Sequence, residues 1–86
     1  MDIETKIYEK VMTSYTYRQE FESPVQSKAA ITRHCFDDMN VTQAHNGQAS
    51  FRVFFRGAEI GSISREKFNE AISKRKERIA YAFLKS

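Results

Sequence analysis

Two turn-forming dipeptides in the second half of the chain constrain its fold more than any other feature. Asn46-Gly47 favours a type I′ turn, whose two central residues both need a positive φ, and Gly57-Ala58 suits a type II′ turn with glycine first. Two-residue turns fix how the flanking strands pair. The sequence therefore predicts a three-stranded antiparallel meander, with strands near 41–45, 48–56 and 59–63.

These turns also set a register for the predicted meander. Thr42 would face Phe51 and Phe55 would face Ile60, while Phe54 would lie opposite Gly61 and Arg56 opposite Glu59. Side chains alternate between the two faces of a strand. The better core face then carries Thr42, Ala44, Phe51, Val53, Phe55 and Ile60, and the opposite face carries Val41, Arg52, Phe54, Arg56 and Ile63.

Three segments have the periodicity of amphipathic helices. The first begins near Asp2 and buries Ile3, Ile7 and Val11, although residues 13–21 either fray or extend because they are rich in Thr and Tyr. The second begins at the N-cap Ser23 with Pro24 in its first turn, and stops near Asn40. The third spans 65–84 after the cap Ser64, with Phe68, Ala71, Ile72, Ile79, Ala82 and Phe83 on its apolar side.

The whole chain of 86 residues suits a single domain, 1–86. Its hydrophobic content of 41%, with seven Phe and four Tyr, is enough for one core. The element order α-α-β-β-β-α predicts an α+β domain, in which the amphipathic helices pack on the three-stranded meander.

The sequence favours a reducing, cytoplasmic environment. No apolar run is long enough to span a bilayer, and the segment MDIETKIYEK lacks the basic flank and apolar centre of a signal peptide. The single cysteine, Cys35, cannot form an internal disulfide. We therefore expect no membrane partner.

Residues capable of chemistry are scattered. His34 and Cys35 are neighbours on the predicted second helix, so their side chains diverge by about 100°. Together with Asp37, Asp38 and His45 they lack the paired spacings of metal ligands. There is no glycine-rich phosphate loop. We expect no catalytic residue, no metal and no cofactor, so the protein is predicted not to be an enzyme.

Charge is distributed unevenly along the chain. Residues 1–43 carry five Lys or Arg against seven Asp or Glu, a net −2, and residues 44–86 carry nine against four, a net +5. Any basic surface must therefore come from the second half. A surface of this kind is compatible with a nucleic-acid partner, either DNA or RNA.

The predicted nucleic-acid contacts fall into two groups. On the sheet, Phe54 would stack against a base between Arg52 and Arg56. On the last helix, four residues recur at spacings of seven, four and seven and form one basic stripe: Lys67, Lys74, Arg78 and Lys85. The first hypothesis is a small cytosolic protein that binds nucleic acid through strand 48–56 and helix 65–84.

Other interpretations use the same residues. Arg56 could pair with Glu59, Phe54 could cover Gly61, and the basic stripe could be an ordinary solvated helix face. The second hypothesis is a protein-interaction module, either an adaptor, a subunit or an inhibitor of a larger machine. It would use the face formed by Val41, Phe54 and Ile63, or the N-terminal helix, and either surface would suit a homodimer.

Overall fold

A computed structural model describes residues 2–23 and 29–85 of the chain. Its elements are α1 (Ile3–Thr13), β1 (Tyr17–Glu22), β2 (Ile31–Phe36), β3 (Met39–Ala44), β4 (Ser50–Phe55), β5 (Ala58–Ser64) and α2 (Arg65–Lys85). The strands form one antiparallel sheet in the order β1-β2-β3-β4-β5. Both helices pack on one face of the sheet, around a core that includes Ile7, Val41, Val53 and Phe68.

The predicted order α-α-β-β-β-α is wrong, because β1 and β2 replace the second helix. Along β2, Thr32, His34 and Phe36 face the helices, so two of the three inward residues are polar. Hydrogen bonds to other side chains satisfy both polar residues, which makes their burial tolerable. Because these two inward residues are polar, the sequence does not show the alternation of apolar and polar residues that is typical of a half-buried strand. Pro24 lies outside the described residues, and Ser23, which is described, is exposed.

Asp37 and Asp38, which the prediction placed near the end of a helix, form the turn between β2 and β3. Asp37 has a positive φ of 51°, a conformation that aspartate tolerates better than most residues. Its carboxylate accepts hydrogen bonds from the backbone N–H groups of Tyr15 (3.1 Å) and Thr16 (2.9 Å). Those bonds, chiefly the one from Thr16, lower the pKa of Asp37. The β2–β3 turn thereby fixes the connection between α1 and β1.

The prediction of a three-stranded meander is wrong, because the three predicted strands are β3, β4 and β5 of a five-stranded sheet. Their predicted register is also wrong at both turns. Thr42 pairs with Arg52 across β3 and β4. Between β4 and β5 the turn is centred on Arg56 and Gly57, which both have positive φ (50° and 84°), and a register shift follows. Phe54 consequently pairs with Glu59, and Val53 pairs with Gly61. Val41 and Ile63 therefore move to the core face, where both are fully buried.

The two terminal helices were predicted correctly and lie side by side, pointing the same way. Near their starts, Glu4 Oε2 accepts a hydrogen bond from the backbone N–H of Ser64 (2.9 Å). Further along, the buried guanidinium of Arg75 donates to the backbone oxygens of Val11 (3.2 Å) and Ser14 (2.7 Å). Arg75 thus neutralises the negative end of α1.

The helices differ in length, and this difference shapes the molecule. α1 ends at Thr13, beside Arg75, whereas α2 continues to Lys85. Residues 76–85 are all exposed, and α1 does not extend alongside them. We call residues 76–85 the α2 overhang. At a rise of 1.5 Å per residue, it extends about 15 Å beyond the end of α1.

Candidate nucleic-acid interface

The open face of the sheet carries arginines that all have carboxylate partners. Arg18 pairs with Glu20 (3.0 Å) and Arg33 pairs with Glu22 (2.8 Å). Arg52 donates from both Nε and Nη2 to Glu59, which raises the pKa of Arg52 and lowers that of Glu59. The prediction had assigned Glu59 to Arg56 and left Arg52 unpaired, and the register shift reverses this. Three arginines and three glutamates make this face electrically balanced.

Phe54 lies on the open face but is not a bare aromatic platform. It is half-buried, and the Arg52 guanidinium lies over its ring, 5.2 Å from the ring centre. A shallow depression around it is lined in part by Ile31, Asn40 and Thr42. The prediction that Phe54 covers Gly61 is wrong, because Gly61 pairs with Val53 and packs against the side chain of Ile3.

Arg56 does not join Arg52 and Phe54 on the open face. It occupies the β4–β5 turn, where its guanidinium lies 3.3 Å from Asp38 and 5.1 Å from the centre of the Phe55 ring. The predicted Arg52–Phe54–Arg56 surface is therefore divided between the sheet and its turn. Two of its three members also carry compensated charges.

The alternative interface of Val41, Phe54 and Ile63 does not form as one surface. Val41 and Ile63 are fully buried beneath the helices, whereas Phe54 belongs to the other face of the sheet. The one-residue change in register separates them. A partner in contact with Phe54 could not reach the other two without removing the helices.

The basic stripe on α2 is present as the sequence predicts. Lys67, Lys74, Arg78 and Lys85 are exposed, and their spacing keeps them on one side of the helix. No ion pair among the described residues involves α2. Lys67, however, lines a pocket with Asp2, Glu4 and Glu70, so its surroundings are acidic. The uncompensated part of the stripe is Lys74, Arg78 and Lys85.

The second half of α2 is the most basic surface that the described chain presents. Between residues 74 and 85 the exposed charges are four cations and one carboxylate, Glu77, which gives a net charge of +3. One of these cations, Lys76, was not predicted as a contact because it lies on a different side of the helix. Its position within the same basic cluster was the signal that could have identified it. Arg75 adds no exposed charge, because it is only 6% exposed.

The histidine and cysteine side chains lie away from this surface. His34 Nδ1 lies 2.8 Å from the Tyr17 hydroxyl and its Nε2 lies 2.9 Å from Gln43 Oε1, and burial lowers the pKa of His34. Cys35 is on the opposite face of β2, where burial raises the pKa of its thiol. Across residues 2–23 and 29–85, no three His, Cys, Asp or Glu side chains are grouped as metal ligands would be.

Comparisons with known proteins do not identify the chain. No protein-family model matches it, and no curated protein and no solved structure matches it significantly. In the part of the chain that the structure describes, neither helix is long and apolar enough to cross a membrane.

Proposed function

We propose that this protein binds nucleic acid without chemical conversion, through the basic stripe of α2. One observation carries the proposal. Lys74, Arg78 and Lys85 are exposed along one side of α2 and have no carboxylate partner among the described residues. The sheet arginines, by contrast, are all paired. A cation without a carboxylate partner can neutralise a phosphate without first breaking an ion pair.

The geometry favours recognition of the phosphate backbone rather than of bases. Lys74 and Lys85 are flexible point charges, and Arg78 is the one residue of these three with a planar fork of donors that suits a base edge. Three phosphate contacts would give log K a slope of roughly −3 against log salt on duplex DNA. We therefore expect weak, sequence-independent binding that falls steeply as salt rises.

Fluorescence anisotropy with labelled oligonucleotides tests this proposal. A duplex of about 20 base pairs and a single strand of the same length are titrated between about 25 and 200 mM salt. The double variant Lys74→Ala/Arg78→Ala should reduce the magnitude of the duplex slope by roughly 2, one contact for each residue.

The matched control removes two positive charges from the sheet instead of from the helix. Arg33→Ala/Arg52→Ala should leave the salt slope unchanged, because both arginines already have carboxylate partners. An equal fall in both double variants would show that net charge, and not the α2 stripe, governs binding. No binding of either oligonucleotide at the lowest salt would overturn the proposal.

The alternative of a protein-interaction module retains only part of its predicted surface. Val41 and Ile63 are unavailable, and in α1 the residues Ile7 and Val11 are buried. Tyr15, immediately after α1, is 95% exposed and is the apolar group near that helix most accessible to a partner. Tyr15 lies beside the base of the α2 overhang, because Ser14 before it accepts the hydrogen bond from Arg75.

A further inference from the structure

The α2 overhang has an apolar side that continues the buried side of the same helix. In the first half of α2, Phe68, Ala71 and Ile72 pack against α1 and the sheet. Helical geometry places Ile79 and Phe83 in line with them, yet these side chains are 51% and 77% exposed. Leu84, beside them, is 81% exposed, and a shallow groove is lined by Lys76, Ile79, Ala80, Phe83 and Leu84.

α1 packs beside the apolar side of α2 along the first half of α2. Along the second half of α2, no described helix or strand takes that position. α1 runs parallel to α2 as far as Ser14, whose backbone oxygen accepts the hydrogen bond from Arg75. The small side chain of Ala80 in the groove allows another helix to approach at the usual 8–10 Å between axes. The groove therefore suits a helix.

We propose that the apolar side of the α2 overhang is a homodimer interface, in which the overhangs of two copies pack antiparallel. This arrangement is two-fold symmetric, so Ile79 of each copy lies near Phe83 of the other. The tip of each overhang then reaches the base of the other, where Tyr15 follows Ser14. The antiparallel direction also brings Lys76 beside the C-terminal turn of the second α2, which carries the negative end of that helix dipole.

The position of the charges favours a second copy over an acidic partner. Lys74, Arg78 and Lys85 lie about 140° around the helix axis from the Ile79–Phe83 side. An occupant of the groove would therefore meet Lys76 but not the basic stripe, and the negative end of a second α2 is sufficient to face that one cation. In the dimer the two stripes face outward on opposite sides, about two helix diameters apart. Their mutual repulsion is weak, because that separation exceeds the Debye length of about 8 Å.

The exposed area predicts how tight the dimer should be. Large apolar side chains present roughly 150–250 Å² each, so the exposed parts of Tyr15, Ile79, Phe83 and Leu84 amount to roughly 600 Å² per copy. Stable interfaces bury about 800 Å² per partner. We therefore expect a dimer that dissociates in the micromolar range or above, and not an obligate one.

Sedimentation equilibrium without nucleic acid tests the interface. The average mass should rise from 10.0 kDa toward twice that value as the protein is concentrated from about 10 µM to 1 mM. Ile79→Glu should weaken association at least tenfold. Tyr81→Glu is the matched control: it introduces the same charge on the other side of the overhang and should associate like the wild type.

Residues 76–85 are exposed, so both variants should fold, and circular dichroism at 222 nm checks this. Concentration-dependent NMR shifts should be confined to the amides around Tyr15 and the overhang. A wild type that stays monomeric at the highest concentration overturns the proposal, as does association that Ile79→Glu leaves intact or that shifts other residues. The interface does not depend on nucleic-acid binding, so each proposal can fail separately.

Discussion

The open face of the sheet and the second half of α2 contain similar numbers of cations, but only those of the sheet are paired with carboxylates among the described residues. Arg18, Arg33 and Arg52 each have a glutamate on a neighbouring position of the sheet. Lys74, Arg78 and Lys85 have no carboxylate partner among the described residues. Neighbouring positions of a sheet bring arginines and glutamates within reach of each other, whereas the side of α2 that carries these three cations is exposed. Under the proposed function, the pairing of the positive charges, and not their number, would decide which of the two surfaces binds a polyanion.

The largest expected effect is a loss of stability when the buried cation of α2, Arg75, is removed, in contrast to the removal of the exposed cation Arg78. Arg75→Ala removes the hydrogen bonds to Val11 and Ser14 and the contact with the Tyr17 and Phe36 rings. We expect it to lower the free energy of unfolding by about 3 kcal/mol. Arg78→Ala should change it by less than about 0.5 kcal/mol. Urea denaturation measures both, and similar losses would contradict the distinction between structural and exposed cations.

A smaller effect distinguishes the two adjacent acids of the β2–β3 turn. Asp37→Asn keeps a residue that tolerates positive φ but weakens the bonds that hold Tyr15 and Thr16. Asp38 contributes an exposed ion pair to Arg56. The melting temperature should therefore fall more for Asp37→Asn than for Asp38→Asn. The reverse order would mean that the ion pair, and not the bracing of the α1–β1 connection, matters for stability.

The pH dependence of stability should come from the sheet side of the molecule. Burial lowers the pKa of His34 below its unfolded value of about 6.5. The folded protein therefore binds fewer protons than the unfolded chain, so this contribution is present above pH 6.5 and is lost as the pH falls toward the folded pKa.

Urea titrations between about pH 7.5 and 5.5 measure this contribution, with a slope of at most about 1.4 kcal/mol per pH unit. His34→Gln should flatten the profile in that window. An unchanged slope in His34→Gln would assign the dependence to another group. Ile79→Glu, in the overhang, serves as a control and should leave the slope as it is in the wild type.

The sequence was sufficient wherever structure depends on local spacing. The N-cap of α2 at Ser64, which accepts the Lys67 N–H at 3.2 Å, and the stripe at Lys74 and Arg78 both follow from residues within a few turns of each other. The strands of β3, β4 and β5 followed from turn dipeptides. β1 and β2 were not predicted, since the inward residues Thr32 and His34 are polar. Burial of these side chains is tolerated only because they have hydrogen-bond partners, which the sequence does not reveal.

The pairing register of β4 and β5 was the second feature that could not be predicted from local spacing. Gly57 permits a turn centred on either side of it, and the choice depends on which residues the helices cover. Centring the turn on Arg56 and Gly57 places Glu59 opposite Phe54 and beside Arg52. The register shift between Val53 and Phe54 then places Ile63 opposite Phe51, in the core. The charge pairing of the sheet face follows from this choice, so the candidate site could be predicted on the helix but not on the sheet.

The smallest expected effect tests whether pairing is what keeps the sheet face from binding nucleic acid. Glu22→Gln/Glu59→Gln removes the carboxylates from Arg33 and Arg52 without changing the size of either side chain. If pairing is decisive, affinity for a short duplex at low salt should rise a few-fold, because two guanidinium groups become available for phosphate. Adding Arg33→Ala/Arg52→Ala to the same chain should abolish that gain. A gain that survives the loss of both arginines would come from net charge alone. No gain at all would mean that the shape of the face, and not its charge pairing, excludes nucleic acid.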